Sequence, residues 1–249
     1  MIKLFRKIRH KFLLENRFNK YLLYAIGEII LVVIGILIAL QINNWNNERQ
    51  QRDLEVKILK EIQSNLSFDL IEIREDISVM DSVNMASIEV VEYLKNHDEP
   101  SEKFNYNVAK VKVAPHFNPN KSGYELLTSK GVELVVNDSL RIAISDLYES
   151  TYPYYKQYEI ERISFKENFI QPMLLKYCEW LNDENRYYLT TFNITQDDFI
   201  KMKADDAFLK MIQAAKFENY FVRFRAKQKI ESKILRLQEI IAEELNSKQ

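Results

Sequence analysis

Residues 21–42 read YLLYAIGEIILVVIGILIALQI, an apolar run broken by one charge, Glu28. At about 1.5 Å per residue, an α-helix over this run covers roughly the 30 Å of a bilayer's hydrocarbon core. Tyr21, Tyr24 and Trp45 fall near its ends, where amphipathic rings sit at the membrane interface. Upstream stand Lys3, Arg6, Lys7, Arg9, Lys11, Arg17 and Lys20 against the single acid Glu15, whereas residues 43–47 are uncharged. Basic flanks stay cytoplasmic, so the run predicts a cytoplasmic basic segment over 1–20, a transmembrane helix over 21–42 and an outer domain over 43–249. Ile2, Phe5, Ile8 and Phe12 recur at helical spacing among the basic residues, the pattern of a helix lying on an anionic inner leaflet. The triplets Leu37-Ile38-Ala39 and Ala39-Leu40-Gln41 lack the paired small residues of a cleavage site, which predicts an uncleaved signal anchor. No other stretch approaches 18 apolar residues, so a single pass is expected.

Beyond the span, 28 Lys and Arg stand against 34 Asp and Glu, a net charge near −6 that argues against nucleic acid as a partner. The lone cysteine, Cys178, lies among Leu174, Leu175, Trp180 and Leu181 and reads as a buried, inert thiol. His10, His97 and His116 have no second His or Cys at metal-ligand spacing. Phosphate loops, nucleophile elbows and paired-carboxylate motifs are missing as well. The expectation is therefore a non-enzyme with no cofactor and no metal.

Of the chain's four glycines, Gly27 and Gly35 lie in the apolar run and only Gly123 and Gly131 outside it, so tight turns should be few and helices long. The fold class expected is all-α, one N-terminal transmembrane helix continuing into a long-helix antiparallel bundle. From 46 to about 97 nothing breaks the chain, and Leu59, Leu66, Ile73 and Met80 recur every seven residues with Ile62, Leu70 and Ile77 beside them. Asp98-Glu99-Pro100 ends that helix. A second seam is read in a C-terminal helix over about 205–246, from Phe217, Phe221 and Phe224 to Ile230, Ile234, Leu237, Ile241 and Leu245. Between them, residues 104–113 (FNYNVAKVKV) alternate like a short strand, and a short helix Ser122–Lys130 is closed by Gly131. A helix from Asp138 to about Leu181, bent at Pro153 and Pro172, follows. Thr195, with Asp198 three residues on, resembles a capping box.

The stretch YLLYAIGEIILVVIGILIALQINNWNNER, preceded by MIKLFRKIRHKFLLENRFNK, resembles the start of the DUF6090 family of bacterial membrane proteins, mostly from Bacteroidota. SGYELLTSKGVELVVNDSLRIAISDLYE is similar to that family's central block. The resemblance transfers no catalytic or binding residue. It implies a Gram-negative host, and with it an inner-membrane protein facing the periplasm.

Two groups of residues stand out as candidate contact sites. On a helix at 100° per residue, Gly35 and Ala39 each fall about 20° from Glu28, so the three share a face. Small residues four apart let helix backbones approach, and a carboxyl on the same stripe is shielded from lipid in the contact. Glu28, Gly35 and Ala39 thus form a candidate transmembrane association face. The bland alternative is that Glu28 reaches the inner interface or pairs with Lys20. Tyr148, Tyr152 and Tyr155 share a helical stripe that reads as a helix interface, with a ligand pocket as the alternative. The leading function is a membrane-anchored structural or interaction module that docks an unknown protein partner as a homo-oligomer, associating through its transmembrane and long-helix seams. The alternative is a periplasmic ligand-binding or sensory bundle acting through a partner protein, since the cytoplasmic segment is too short to fold.

Overall fold

The computed structural model describes residues 18–181 and 191–247, so the amphipathic reading of the first 17 residues lies outside it. The chain divides into two compact units, residues 1–55 and 56–249. In the first, the described part is one helix with its apolar side chains exposed; Leu23, Leu31 and Leu37 are examples. It is the one helix among the described residues long and apolar enough to cross a membrane. That helix, α1, runs as an unbroken element Phe18–Asn96.

Within the second unit, the helices are held by a heptad seam on α1. Ile62, Leu66, Asp69, Ile73, Asp76, Met80, Val83, Ser87, Val90 and Leu94 recur at alternating steps of four and three, and all but Asp76 are fully buried. The frame differs from the expected one at a telling place: Leu70 is only half-buried, and the seam position beside it belongs to Asp69, which is 0% exposed.

After α1 comes α2 (Glu102–Lys110), started by the Ser101 side chain accepting from the Phe104 amide. The strand expected over 104–113 is therefore a helix, because the alternation there coincides with a capped amphipathic turn that buries Phe104, Asn107 and Val108. Residues 113–121 are an extended strap, followed by α3 (Ser122–Lys130), which ends at Gly131 with φ +99°. The next rod begins with α4 (Asp138–Ser145), N-capped by Asn137. It continues through a π-helical turn Asp146–Thr151, α5 (Tyr152–Phe165), a second π turn Lys166–Ile170 and α6 (Gln171–Leu175). Each π turn lies just before a proline, Pro153 or Pro172. Proline lacks an N–H and its ring crowds the carbonyl four residues back, so a wider turn accommodates it where a sharp bend was expected.

The rod stops at Leu175, short of the expected Leu181. Glu179–Leu181 is instead strand β1, paired antiparallel with β2 (Thr191–Asn193) so that Trp180 faces Phe192. Thr195 then caps α7 (Gln196–Ala204), and Asp205 caps α8 (Asp206–Arg225). A third π turn, Ala226–Glu231, joins α8 to α9 (Ser232–Ser247).

Cross-links fix the directions. Ser67 meets Gln238, Arg74 meets Glu231, Asp81 meets Arg223 and Asn84 meets Asn219, so α8–α9 runs antiparallel to α1. Asp69 meets Tyr152 from the middle rod. Asp146 meets Lys233 and Arg162 meets Asn219, so the middle rod too is antiparallel to α8–α9. The result is a three-rod bundle with a second apolar cluster around α2, α6, the hairpin and α7, where Cys178 is buried.

The C-terminal seam is corrected in its first half. Met211, Ala215, Asn219 and Val222 of α8 and Ala226 of the following π turn face the core, while Phe217, Phe221 and Phe224 are 58%, 40% and 46% exposed. Ile230, Ile234, Leu237, Ile241 and Leu245 are buried as read. Six residues separate Phe224 from Ile230, which at 100° each is not one face.

Candidate functional site

Two carboxylates seven residues apart occupy core positions of α1, and their surroundings explain why. The strap 113–121 runs back along α1 and offers backbone N–H groups that belong to neither helix nor sheet. Side chains receive them. The Phe117 amide donates to Glu159 Oε1 at 2.8 Å, the Asn118 amide to Glu72 Oε1 at 3.1 Å, and the Asn120 amide and side chain both to Asp69 Oδ1 at 2.8 Å. One step further, the Gly123 amide donates to Asn65 Oδ1 at 2.9 Å. Asn65, Asp69 and Glu72 are spaced i, i+4, i+7, so one face of α1 acts as a ladder of acceptors. Pro115 and Pro119 have no N–H to satisfy, which suits this sparse ladder. Arg162 donates to the Pro115 carbonyl from the other side.

Aromatic rings fill the space beneath the strap. Phe117 packs edge-on against Tyr152 and Tyr155, at 5.4 and 6.4 Å between centroids. Tyr148 stacks on Tyr124 at 4.6 Å and 1° and meets Tyr152 edge-on. Tyr148, Tyr152 and Tyr155 are 3%, 3% and 2% exposed, so this stripe of α4–α5 faces the bundle interior. The Tyr152 hydroxyl donates to Asp69 Oδ2 at 2.8 Å; among the described residues the hydroxyls of Tyr148 and Tyr155 have no hydrogen-bond partner. Burial raises all three phenols above their ordinary range, and the nearby Asp69 adds to this for Tyr148 and Tyr152.

Below Asp69 lies a charge cluster of Asp76, Glu159 and Arg162. Glu159 is fully buried and takes a second contact from Lys156 Nζ at 3.2 Å. Arg162, 4% exposed, reaches Asn219 Oδ1 at 3.4 Å, and Asn219 in turn donates to the Met80 carbonyl and to Asn84. Burial pushes the Asp76 carboxyl up to about 6, with Glu159 and Glu72 adding to it and Arg162 opposing. Asp69 is raised mainly by burial, against the bonds from Asn120 and Tyr152. A buried charge is tolerated only when paired and hydrogen-bonded, so removing one partner is costly. The arrangement clamps the strap between α1 and the middle rod. Among the described residues no group of three His, Cys, Asp or Glu is spaced to hold a metal ion.

A family model matches residues 28–219, from within the apolar run through the strap, the carboxylate cluster and most of α8. The chain belongs to DUF6090, a family of unknown function. No curated protein and no solved structure matches it.

In this DUF6090 protein Glu28, Gly35 and Ala39 lie on the exposed apolar run of α1, and a Cβ added at Gly35 would meet nothing within 4 Å. Sequence reasoning missed Asp69, Asp76, Glu159 and Arg162. The available signal was the heptad frame itself: stepping by seven from Ile62 lands on Asp69 and Asp76 before Val83 and Val90. Cys178 is a free buried thiol, pushed up to about 12 by burial.

Proposed function

We propose that the protein is a single-pass, inner-membrane-anchored helical module, without enzymatic activity, whose periplasmic bundle pairs with a second copy of itself through the exposed aromatic face of α8. One observation carries the reading. Phe217, Tyr220, Phe221 and Phe224 lie on one face of α8, 40–58% exposed, and their rings pack against one another, Phe217 on Phe221 and Tyr220 on both Phe221 and Phe224. Clustered exposed aromatics mark contact surfaces, because each ring brings large apolar area at little entropic cost. The seam of α1 is filled by its own chain, which leaves this face and the Glu28, Gly35 and Ala39 stripe for association.

A second copy is the favoured occupant for two reasons. A membrane anchor holds identical chains in one plane and one orientation, raising their effective concentration. Rings spaced three and four residues apart also interdigitate with the same stripe across a two-fold axis. The basic residues before the span support a cytoplasmic N-terminus and a periplasmic bundle.

The test is the mass of the full-length chain in detergent. Wild type should be a dimer, and a variant carrying Phe217→Ser, Phe221→Ser and Phe224→Ser should be a monomer with an unchanged melting temperature. A monomeric wild type, or a variant that stays dimeric, overturns the proposal.

A further inference from the structure

Where the middle rod meets α8–α9, the surface opens into a notch of about 170 Å³ lined by Ser150, Thr151, Tyr154, Tyr155, Arg225, Lys229 and Lys233. Three cations therefore converge on one small concavity of a domain that is otherwise net acidic. Lys233 Nζ is aimed by Asp146 Oδ2 at 2.5 Å and Thr151 Oγ1 at 2.7 Å. The Arg225 guanidinium lies over the Tyr158 ring at 3.8 Å and the Tyr154 ring at 5.6 Å, and those two hydroxyls bond each other at 2.7 Å. A stacked guanidinium keeps its edge N–H groups free to fork onto an oxyanion.

The backbone points to the same place. Two of the three π turns border the notch: Asp146–Thr151 supplies Ser150 and Thr151, and Ala226–Glu231 supplies Lys229. The first is explained by Pro153. The second has no proline near it, and single π turns of that kind recur at functional sites. Its geometric effect is specific. In a regular α-helix residues four apart drift by about 40° per step, and the wider turn removes part of that drift. Arg225, Lys229 and Lys233 consequently line one side of the notch.

We propose that this notch binds a phosphate monoester carried on a flat or apolar body. Three cations less Asp146 leave two positive charges, which match the dianion of a monoester near neutral pH. Ser150 and Thr151 add hydroxyls for its oxygens, and the Tyr154 ring offers a face to the attached group. The ester is one carried by a soluble small molecule.

Phenyl phosphate titrated calorimetrically into the full-length chain in detergent micelles tests this, and saturable binding is expected. Lys229→Ala should weaken it about tenfold, the loss of one charge-assisted contact, with an unchanged melting temperature because Lys229 is exposed. Lys210→Ala, an exposed lysine elsewhere on α8, should leave it unchanged. The proposal fails if binding does not saturate, if benzoate binds as well as phenyl phosphate, or if Lys229→Ala binds within twofold of wild type.

Discussion

The Tyr152 hydroxyl donates to Asp69 Oδ2 at 2.8 Å in the bundle core, joining residues 83 apart in sequence. Asp69 takes the strap with its other oxygen, so this bond ties the middle rod to α1 through the residue that holds the strap. Tyr152→Phe keeps the ring and strands the carboxylate oxygen. It should cost about 1–3 kcal/mol, the usual penalty for a buried acceptor without its donor. Urea unfolding of the full-length chain in detergent would show it; a loss below about 0.5 kcal/mol would mean the bond is dispensable.

Asp76 should make stability depend on pH in an unusual direction. Its folded-state pKa, about 6, lies above its ordinary value of 3.8. The folded state therefore holds the proton more tightly, and the contribution is complete below about 4 and lost as pH rises through about 6. The groups facing Asp76 are Glu159, Glu72 and Glu75, which raise it, and Arg162, which lowers it. Asp76→Asn should raise stability at pH 7.5 by about 1–2 kcal/mol, discounted because Asp76 is only half-buried. The gain should vanish below about pH 5, as read from melting temperatures across that range. An equal gain at both pH values would rule out the titration as its cause.

Gly123 and Gly131 should both resist alanine, for different reasons. A Cβ at Gly123 would stand 2.8 Å from the backbone nitrogen and Cγ1 of Ile62, where α3 crosses α1. The backbone cannot yield cheaply, so Gly123→Ala should cost about 1–3 kcal/mol despite alanine's better helix propensity. At Gly131 the cost comes from φ +99°, and should be about 1–2 kcal/mol. Thermal melts of the two variants give the answer, and a stabilised Gly123→Ala would mean the helices do not approach this closely.

In the membrane, Glu28→Gln and Gly35→Leu should each lower dimerisation of the isolated span several-fold in a membrane reporter assay. If both variants signal like wild type, the shared face is not a contact.

Much of the architecture was legible because period is a direct signature of burial. The heptads of α1, the Ser122–Lys130 helix with its glycine stop, and the Thr195 cap are local patterns whose physics stays within a few residues. The carboxylate cluster was not legible in the same way. An acid on a helix normally faces water, and only the strap, some fifty residues on, turns Asp69 into a buried acceptor. The aromatic face of α8 misled for a related reason: size suggests a core, yet Ala215, Asn219 and Ala226 are the residues small enough to let the rods approach. The pairing of β1 with β2 depends on Trp180 meeting Phe192, twelve positions on, a contact no local period encodes.

Asp69 and Asp76 have a consequence for the chain while it is still being made. All of α1 precedes the first residue of the strap, so for a time its seam has nothing of its own to cover it. A purely apolar heptad face in that interval would zip onto the same face of a neighbouring nascent chain. In a parallel, in-register pairing of copies, Asp69 would confront Asp69 and Asp76 would confront Asp76 in a dry interface, a mutual repulsion with no donor to relieve it. Two acids on the seam would thus disfavour such a pairing, and in the folded chain Asp69 instead takes an amide and a hydroxyl that arrive later in the same polypeptide.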